Sequence, residues 1–286
     1  MPSILDLRRR IRSVKNTQQI TRAMKMVAAA RMRRAQERVI NARPYEKQMR
    51  EFLSSLAART EDRSHPLLAE RPVRRVLLVL VTADRGLAGA FNANLLRAAQ
   101  KYAGEHQDAE IQALAAGRKG RDFFRKRGSK LAAEYVTFFH RPPVLFSSAQ
   151  EVAAKIIELY GGAAVDAVDI IYNEFKSLIS ATLAVERLLP VKPAQPKEGE
   201  TLVDYIYEQP PAEILGDLLP RYIEAEVYRA MLESQAAELA ARMTAMDTAT
   251  RNASDLISSL TLHLNRVRQA AITKEIIEIV SGASAL

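Results

Sequence analysis

Apolar residues recur at helical spacing near both ends of the chain and in strand-like runs between them. No glycine falls between residue 3 and about residue 58. Ile4, Leu7, Ile11 and Val14 fall three and four apart, which predicts a helix with a narrow coiled-coil seam. Ser3 followed by Asp6 reads as a capping-box-like start. The pattern blurs across residues 15–19 and resumes with Ile20, Met24 and Val27. It then returns in a shifted frame with Met32, Ala35, Val39 and Ala42. Pro44 is expected to kink the helix or restart it.

The other end reads the same way. Pro210 and Pro211 sit where a helix would begin, and Pro220 suggests a break before the main run. From Tyr222 to Val280 there is neither proline nor glycine. Met246, Ala249, Ala253, Leu256, Leu260, His263, Val267, Ala270, Lys274 and Ile277 alternate steps of three and four, and Gly282 is expected to end the run. Two such seams bury most simply against each other as an antiparallel pair. At 1.5 Å per residue the helices would run roughly 80 and 100 Å, too long for a globular domain to enclose.

Between them the period changes. Val76-Leu77-Leu78-Val79-Leu80-Val81 is a buried, parallel-type strand within 73–82. Further strands are expected at 110–116, 131–138, 165–172 and 179–188, with helices at 91–102, 120–127 and 149–160. A turn around Lys176-Ser177 joins the last two strands, and residues 190–199 read as a loop. This alternation indicates a Rossmann-like, open, mostly parallel α/β domain inserted between the two long helices. The expected boundaries are 1–58 for the N-terminal helix, 73–200 for the α/β domain and 210–286 for the C-terminal helix.

Composition narrows the chemistry. Hydrophobic residues make up 48% of 286, enough for a real core, and there is no cysteine, which removes thiol nucleophiles, disulfides and cysteine-ligated metals. No stretch approaches the roughly 20 apolar residues of a bilayer span, and no secretory signal is evident, so a soluble chain is expected. The net charge of +9 is uneven, because residues 1–58 hold 14 Lys/Arg against 4 Asp/Glu. An acidic partner would therefore meet that segment.

The turn from Asp84 to Asn92 lies where a phosphate-binding loop belongs in a doubly wound sheet, yet it has neither dinucleotide nor Walker spacing. A structural turn capped by Asn92 or Asp84 is the plainer reading. Gly117-Arg118-Lys119-Gly120-Arg121 could hold a phosphate or simply carry solvated charge. His65, His106, His140 and His263 are scattered without ligand spacing. The carboxylates fall mostly at salt-bridge spacing on helices, Glu224, Glu226, Glu233 and Glu238 among them. No serine has a nucleophile-elbow context. No catalytic, cofactor or metal site is expected. The arginine clusters at 8–10, 31–34 and 74–75 lack the aromatics and modules of nucleic-acid readers, so no nucleic-acid partner is expected.

Longer stretches are more specific. Residues 16–29, from Asn16-Thr17-Gln18-Gln19-Ile20-Thr21 to Met26-Val27-Ala28-Ala29, resemble the N-terminal signature of F-type ATP synthase γ subunits. Residues 268–283, Arg268-Gln269-Ala270-Ala271 through Ser281-Gly282-Ala283, resemble the family's C-terminal signature. Glu233-Ser234-Gln235-Ala236-Ala237-Glu238, Ala241-Arg242-Met243-Thr244-Ala245-Met246 and the Thr82–Asn92 turn are also similar to family segments. Ala88 stands where the family often has cysteine, and a cysteine-free chain cannot carry the two-cysteine insertion of chloroplast members. A bacterial member follows as the natural expectation.

The resemblance implies a non-catalytic rotor shaft of a proton-translocating F1Fo ATP synthase. The helix pair would stand in a ring of three α and three β subunits, with the C-terminal tip in an apolar bearing. The foot would sit on the c ring beside the ε subunit. Proton flow would turn the shaft, drive the β sites through their affinities and modulate ATPase activity, with ATP chemistry on β. It implies contacts of Met24 and Lys25, with Arg9, Arg10 and Arg34, to acidic β loops. Arg268, Gln269 and Thr273 would meet β near the top, and Tyr205 and Tyr207 would lie at the foot near the c ring and ε. It also implies a peripheral place on the cytoplasmic face of the bacterial inner membrane, without insertion. A coiled-coil scaffold with an α/β head for another acidic partner, or a nucleotide-binding enzyme using the Asp84–Asn92 turn, are the competing readings.

Overall fold

The computed structural model describes residues 3–59, 65–138, 143–178, 180–191 and 209–284. A helix α1 (Ile4–Arg59) leads into β1 (Arg75–Val81), α2 (Phe91–Glu105), β2 (Glu110–Ala116), α3 (Arg118–Lys126) and β3 (Leu131–Tyr135). Then follow α4 (Phe146–Gly161), β4 (Ala167–Phe175), β5 (Ala181–Leu189) and α5 (Pro211–Ser284). The five strands form one sheet in the order β3-β2-β1-β4-β5. β1 pairs in parallel with β2 and β4, β2 in parallel with β3, and β5 runs antiparallel at the edge. The expected α/β order is therefore met. The continuous aliphatic run of β1 is explained by burial on both faces, since Val76 to Leu80 are inaccessible.

Two compact units make up the chain, one of residues 30–241 and one of residues 1–29 with 242–286. In the first, the sheet shares a single core with one face of each long helix, through Met32, Val39 and Leu56 of α1 and Leu215, Ile223 and Met231 of α5. The second is an antiparallel pair, because Lys25 lies beside Asp247 and Thr21 beside Thr250.

Three expectations about the helices are corrected. Pro44 and Pro220 both lie inside helices that neither stop nor restart. A proline within a helix costs about 3 kcal/mol. Leu53 and Leu56 after Pro44, and Leu215, Leu219 and Ile223 around Pro220, are each almost fully buried. Burial at about 1.5–3 kcal/mol per side chain outweighs that cost. Gly216 carries the carbonyl that the Pro220 ring crowds, and lacking a Cβ it gives the backbone room to yield. Gly282 likewise does not end α5, which runs to Ser284.

The third correction concerns phase. The packed face of α1 runs Leu7, Ile11, Val14, Gln18, Thr21, Lys25, Ala28, Met32, Ala35 and Val39 without a shift of frame. Ile20 and Val27, expected in the seam, are 60% and 52% exposed. On α5 the packed positions beyond Ala253 are Ile257, Leu260, Leu264 and Val267. Leu256 and His263, expected in the seam, are exposed, and each stands one residue before a better packed aliphatic.

Smaller differences have local causes. β3 ends at Tyr135 rather than 138, because Thr137 takes a positive φ of 80° and turns its amide to Asp84. Ser3 Oγ and Asp6 Oδ2 bond at 2.8 Å and the Asp6 amide returns to Ser3 Oγ at 3.1 Å, the reciprocal cap expected. That bonding holds the Asp6 carboxyl below its ordinary pKa.

Candidate partner-binding surfaces

The sheet offers the first place to look for a site, because its order reverses between β1 and β4. Doubly wound sheets bind ligands beyond the strand ends at such a point. Here the chain fills it. Asp84 Oδ1 accepts the Arg118 amide at 3.0 Å and the Thr137 amide at 3.1 Å. Thr82 Oγ1 accepts the Gly120 amide at 2.8 Å, and the Ala83 carbonyl accepts the Lys119 amide at 3.2 Å. Three donors in the first turn of α3, which a phosphate would need, are thus taken by the end of β1. Gly117 permits this approach, since a Cβ there would stand 2.0 Å from the Thr82 carbonyl oxygen. Asp84 therefore caps α3, not α2. Asn92 staples its own turn by accepting from the Ala83 amide at 3.1 Å and donating to the Arg85 carbonyl at 3.3 Å. The Asp84–Asn92 turn is thus the structural turn expected, and the backbone amides of Arg118, Lys119 and Gly120 are engaged by it and the end of β1.

Of the carboxylates expected at salt-bridge spacing, Glu226, Glu233 and Glu238 are buried. Glu226, 5% exposed, accepts from Arg229 at 2.7 Å and from Arg50 at 3.1 Å. Burial opposes its charge, but those two guanidinium groups prevail and hold its pKa below the ordinary value. Glu46 beside it is pushed up by burial and by the Glu226 carboxylate. Arg229 also reaches Tyr172 Oη and Glu186, tying α5 to β4 and β5. Asp169 is held between Tyr102 and Arg187. Among the described residues no group of three or more His, Asp or Glu side chains could hold a metal ion.

The paired helices of residues 3–29 and 242–284 differ in kind. Lys25 Nζ meets Asp247 Oδ1 at 2.5 Å, and Arg251 bonds the same carboxylate. Those two bonds hold the Asp247 carboxyl below its ordinary range. Thr250 Oγ1 donates to Thr21 Oγ1 at 2.9 Å. Polar and small side chains thus occupy the seam while Ile20, Met26 and Val27 face outward. This exchange is what blurs the apolar pattern in the sequence.

At the register set by Lys25 and Asp247, Ile4 is level with about residue 267 of α5. The remaining ~16 residues of α5, ~24 Å of helix, have no α1 beside them. Ile272, Ile276, Ile277, Ile279 and Val280 there are about half exposed or more, Ile279 reaching 70%. Arg268, Gln269 and Thr273 are exposed on the same segment, as are Arg9, Arg10 and Arg34 on α1. Met24 is half-buried and Lys25 is committed to Asp247. Met24 and Lys25 therefore lie about 33 Å along the pair from Arg268, Gln269 and Thr273, with Arg9 and Arg10 between them and nearer the latter. Tyr205 and Tyr207 lie outside the described residues.

Paired long helices with outward apolar side chains, and an α/β unit whose ligand crevice is closed, define a partner-binding protein. The ATP synthase family model matches residues 3–286. The "ATP synthase gamma chain" of Solibacter usitatus is 54% identical over 100% of this chain and 99% of its own length. That of Pelotomaculum thermopropionicum is 50% identical over the whole of both. The chain belongs to the ATP synthase gamma chain family. Among solved structures, a central stalk and c-ring structure of the Tetrahymena thermophila mitochondrial ATP synthase contains a chain 27% identical. It matches with a TM-score of 0.60 over 80% of this chain and 99% of that one. A chain of the Euglena gracilis mitochondrial enzyme shares the fold, with a TM-score of 0.71 at 22% identity, over 99% of this chain and 94% of that one.

Proposed function

We propose that this chain is the central rotor stalk of an F1Fo ATP synthase and carries no catalytic group of its own. Its partners in this reading are a ring of three α and three β subunits, the ε subunit and the c ring. The observation that carries the proposal is the outward apolar surface on a folded helix pair, above all the overhang of α5. Five large aliphatic side chains left half exposed forgo on the order of 5 kcal/mol of burial, which a surrounding partner would recover. A bearing that must let a shaft turn is best made of such groups, because dispersion and hydrophobic contact are non-directional.

Arg268, Gln269 and Thr273 contact β subunits just below that tip. Met24, with Arg9 and Arg10 about 22 Å along the helix to one side of it and Arg34 about 15 Å to the other, faces acidic β loops. Lys25 acts first within the seam, and its charge reaches a partner only alongside Asp247. The two tyrosines, Tyr205 and Tyr207, meet the c ring and ε. Proton flow turns the c ring and shaft, and the asymmetric shaft moves each β site through its nucleotide affinities. The chain sits peripherally at the cytoplasmic face of a bacterial inner membrane. Among the described residues no helix is long and apolar enough to cross a bilayer.

Co-expression of the tagged chain with the α, β and ε subunits tests this directly. The expected product holds one copy of this chain per three α and three β subunits and hydrolyses ATP, whereas the chain alone does not. A solitary, inert monomer or a self-dimer would leave only a scaffold.

A further inference from the structure

β1 pairs with β4 only as far as Ile171. Past that point β4 continues, and α5 supplies the acceptors. The Asn173 amide donates to Ser234 Oγ at 3.1 Å and the Phe175 amide donates to Glu233 Oε2 at 2.8 Å. Glu233 also accepts from Arg43 of α1, through Nε at 3.1 Å and Nη2 at 3.0 Å. Arg43 Nη2 closes the circuit by donating to the Phe175 carbonyl at 2.9 Å. One carboxylate, its side chain 3% exposed, thus joins both long helices and the end of a central strand.

We propose that Arg43, Glu233 and the Phe175 backbone form the clamp through which load passes between the sheet and the helix pair. The inference rests on the stalk reading and names the positioning residues within it. Its physical basis is a contrast of forces. Apolar packing resists separation but tolerates sliding, whereas charge-assisted hydrogen bonds have fixed directions and resist shear. Apolar residues at both 43 and 233 would serve stability about as well as the ion pair does. Such a pair would leave the Phe175 amide without its acceptor and the sheet able to slip against the helices. Ser234, one residue on, places a second, neutral hydrogen bond beside the first.

The test uses the assembled membrane enzyme in inverted vesicles, carrying Glu233→Gln, Arg43→Gln, both together, or Arg43→Lys. ATP hydrolysis is measured with an uncoupler present, so that no gradient opposes rotation. ATP-driven proton pumping is measured without it. Glu233→Gln should keep unloaded turnover within about twofold while protons pumped per ATP fall about threefold or more, the scale of one or two lost directional bonds. The double variant should match the single ones, as members of one unit do, and Arg43→Lys should retain most of the pumping ratio. An unchanged ratio in assembled Glu233→Gln enzyme overturns the clamp. So does a parallel fall of assembly, unloaded turnover and pumping, which marks a purely structural pair. Absence of pumping with the unaltered chain would instead sink the stalk reading itself.

Discussion

Residues 30–241 and the helix pair of residues 3–29 and 242–284 use aliphatic side chains for opposite ends. In the first region β1 is inaccessible along Val76 to Leu80, and the faces of α1 and α5 that meet the sheet are nearly as well covered. In the second, Leu7, Ala28, Met246 and Ala253 are buried, while Ile20, Val27 and Ile279 look outward. Buried charge follows the same division. Glu226 and Glu233 are sealed among arginines and backbone amides, whereas Asp247 answers Lys25 and Arg251 near the surface. One region completes its own core. The other presents surface that only a partner can cover.

Substitutions can break this contrast at either end. The largest effect should come from Gly117→Ala, where the new Cβ would collide with the Thr82 carbonyl and the backbone already sits at φ 120°. Denaturant titration of the isolated chain should show a loss on the order of 4 kcal/mol. Ile276→Asp with Ile279→Asp should leave that titration within about 0.5 kcal/mol of the unaltered chain. The same pair should weaken the assembled complex by on the order of 3 kcal/mol, read from its dissociation on dilution. Val27→Asp should act in the same sense but less, by about 1 kcal/mol in the complex alone, because it removes one aliphatic contact.

The smallest effect is a pH dependence in the pair itself. Asp247 has a folded pKa below its unfolded value, so its contribution to stability is fully present above the unfolded value. It is lost as pH falls through the lowered folded one. The stability advantage of the unaltered chain over Asp247→Asn should thus be present at neutral pH and vanish in strong acid. An advantage that persists there would mean that the carboxylate charge is not what joins Lys25 to α5.

Much of the α/β unit was legible because its signals are redundant. A six-residue aliphatic run, helices at spacing 3.6 and turns rich in glycine all point the same way. The helix pair was legible as helices but not in phase. Leu256 and Ile257 compete for one seam position, as do Ile20 and Thr21, and a periodicity argument favours the wrong member when the apolar residue is reserved for a partner. The roles of Thr82, Asp84 and Glu233 were hidden for another reason. Each acts on backbone groups distant in sequence, and residue type alone does not say which amide a carboxylate will meet. The blurred stretch at 15–19 and the apparent change of frame after it were the available signal, since a helix that loses its apolar stripe while keeping aliphatics has moved them to another face.

The absence of cysteine from these 286 residues opens the most direct test of that claim. Single variants Val27→Cys and Ile279→Cys can be labelled with a maleimide in the isolated chain and again in the complex with α and β subunits. Both outward sites should react readily in the free chain and at least about tenfold more slowly after assembly, the protection expected of side chains buried in an interface. Equal labelling rates in both states, in a complex shown to be intact, would mean that these aliphatics face solvent throughout and that the central reading of the helix pair is wrong.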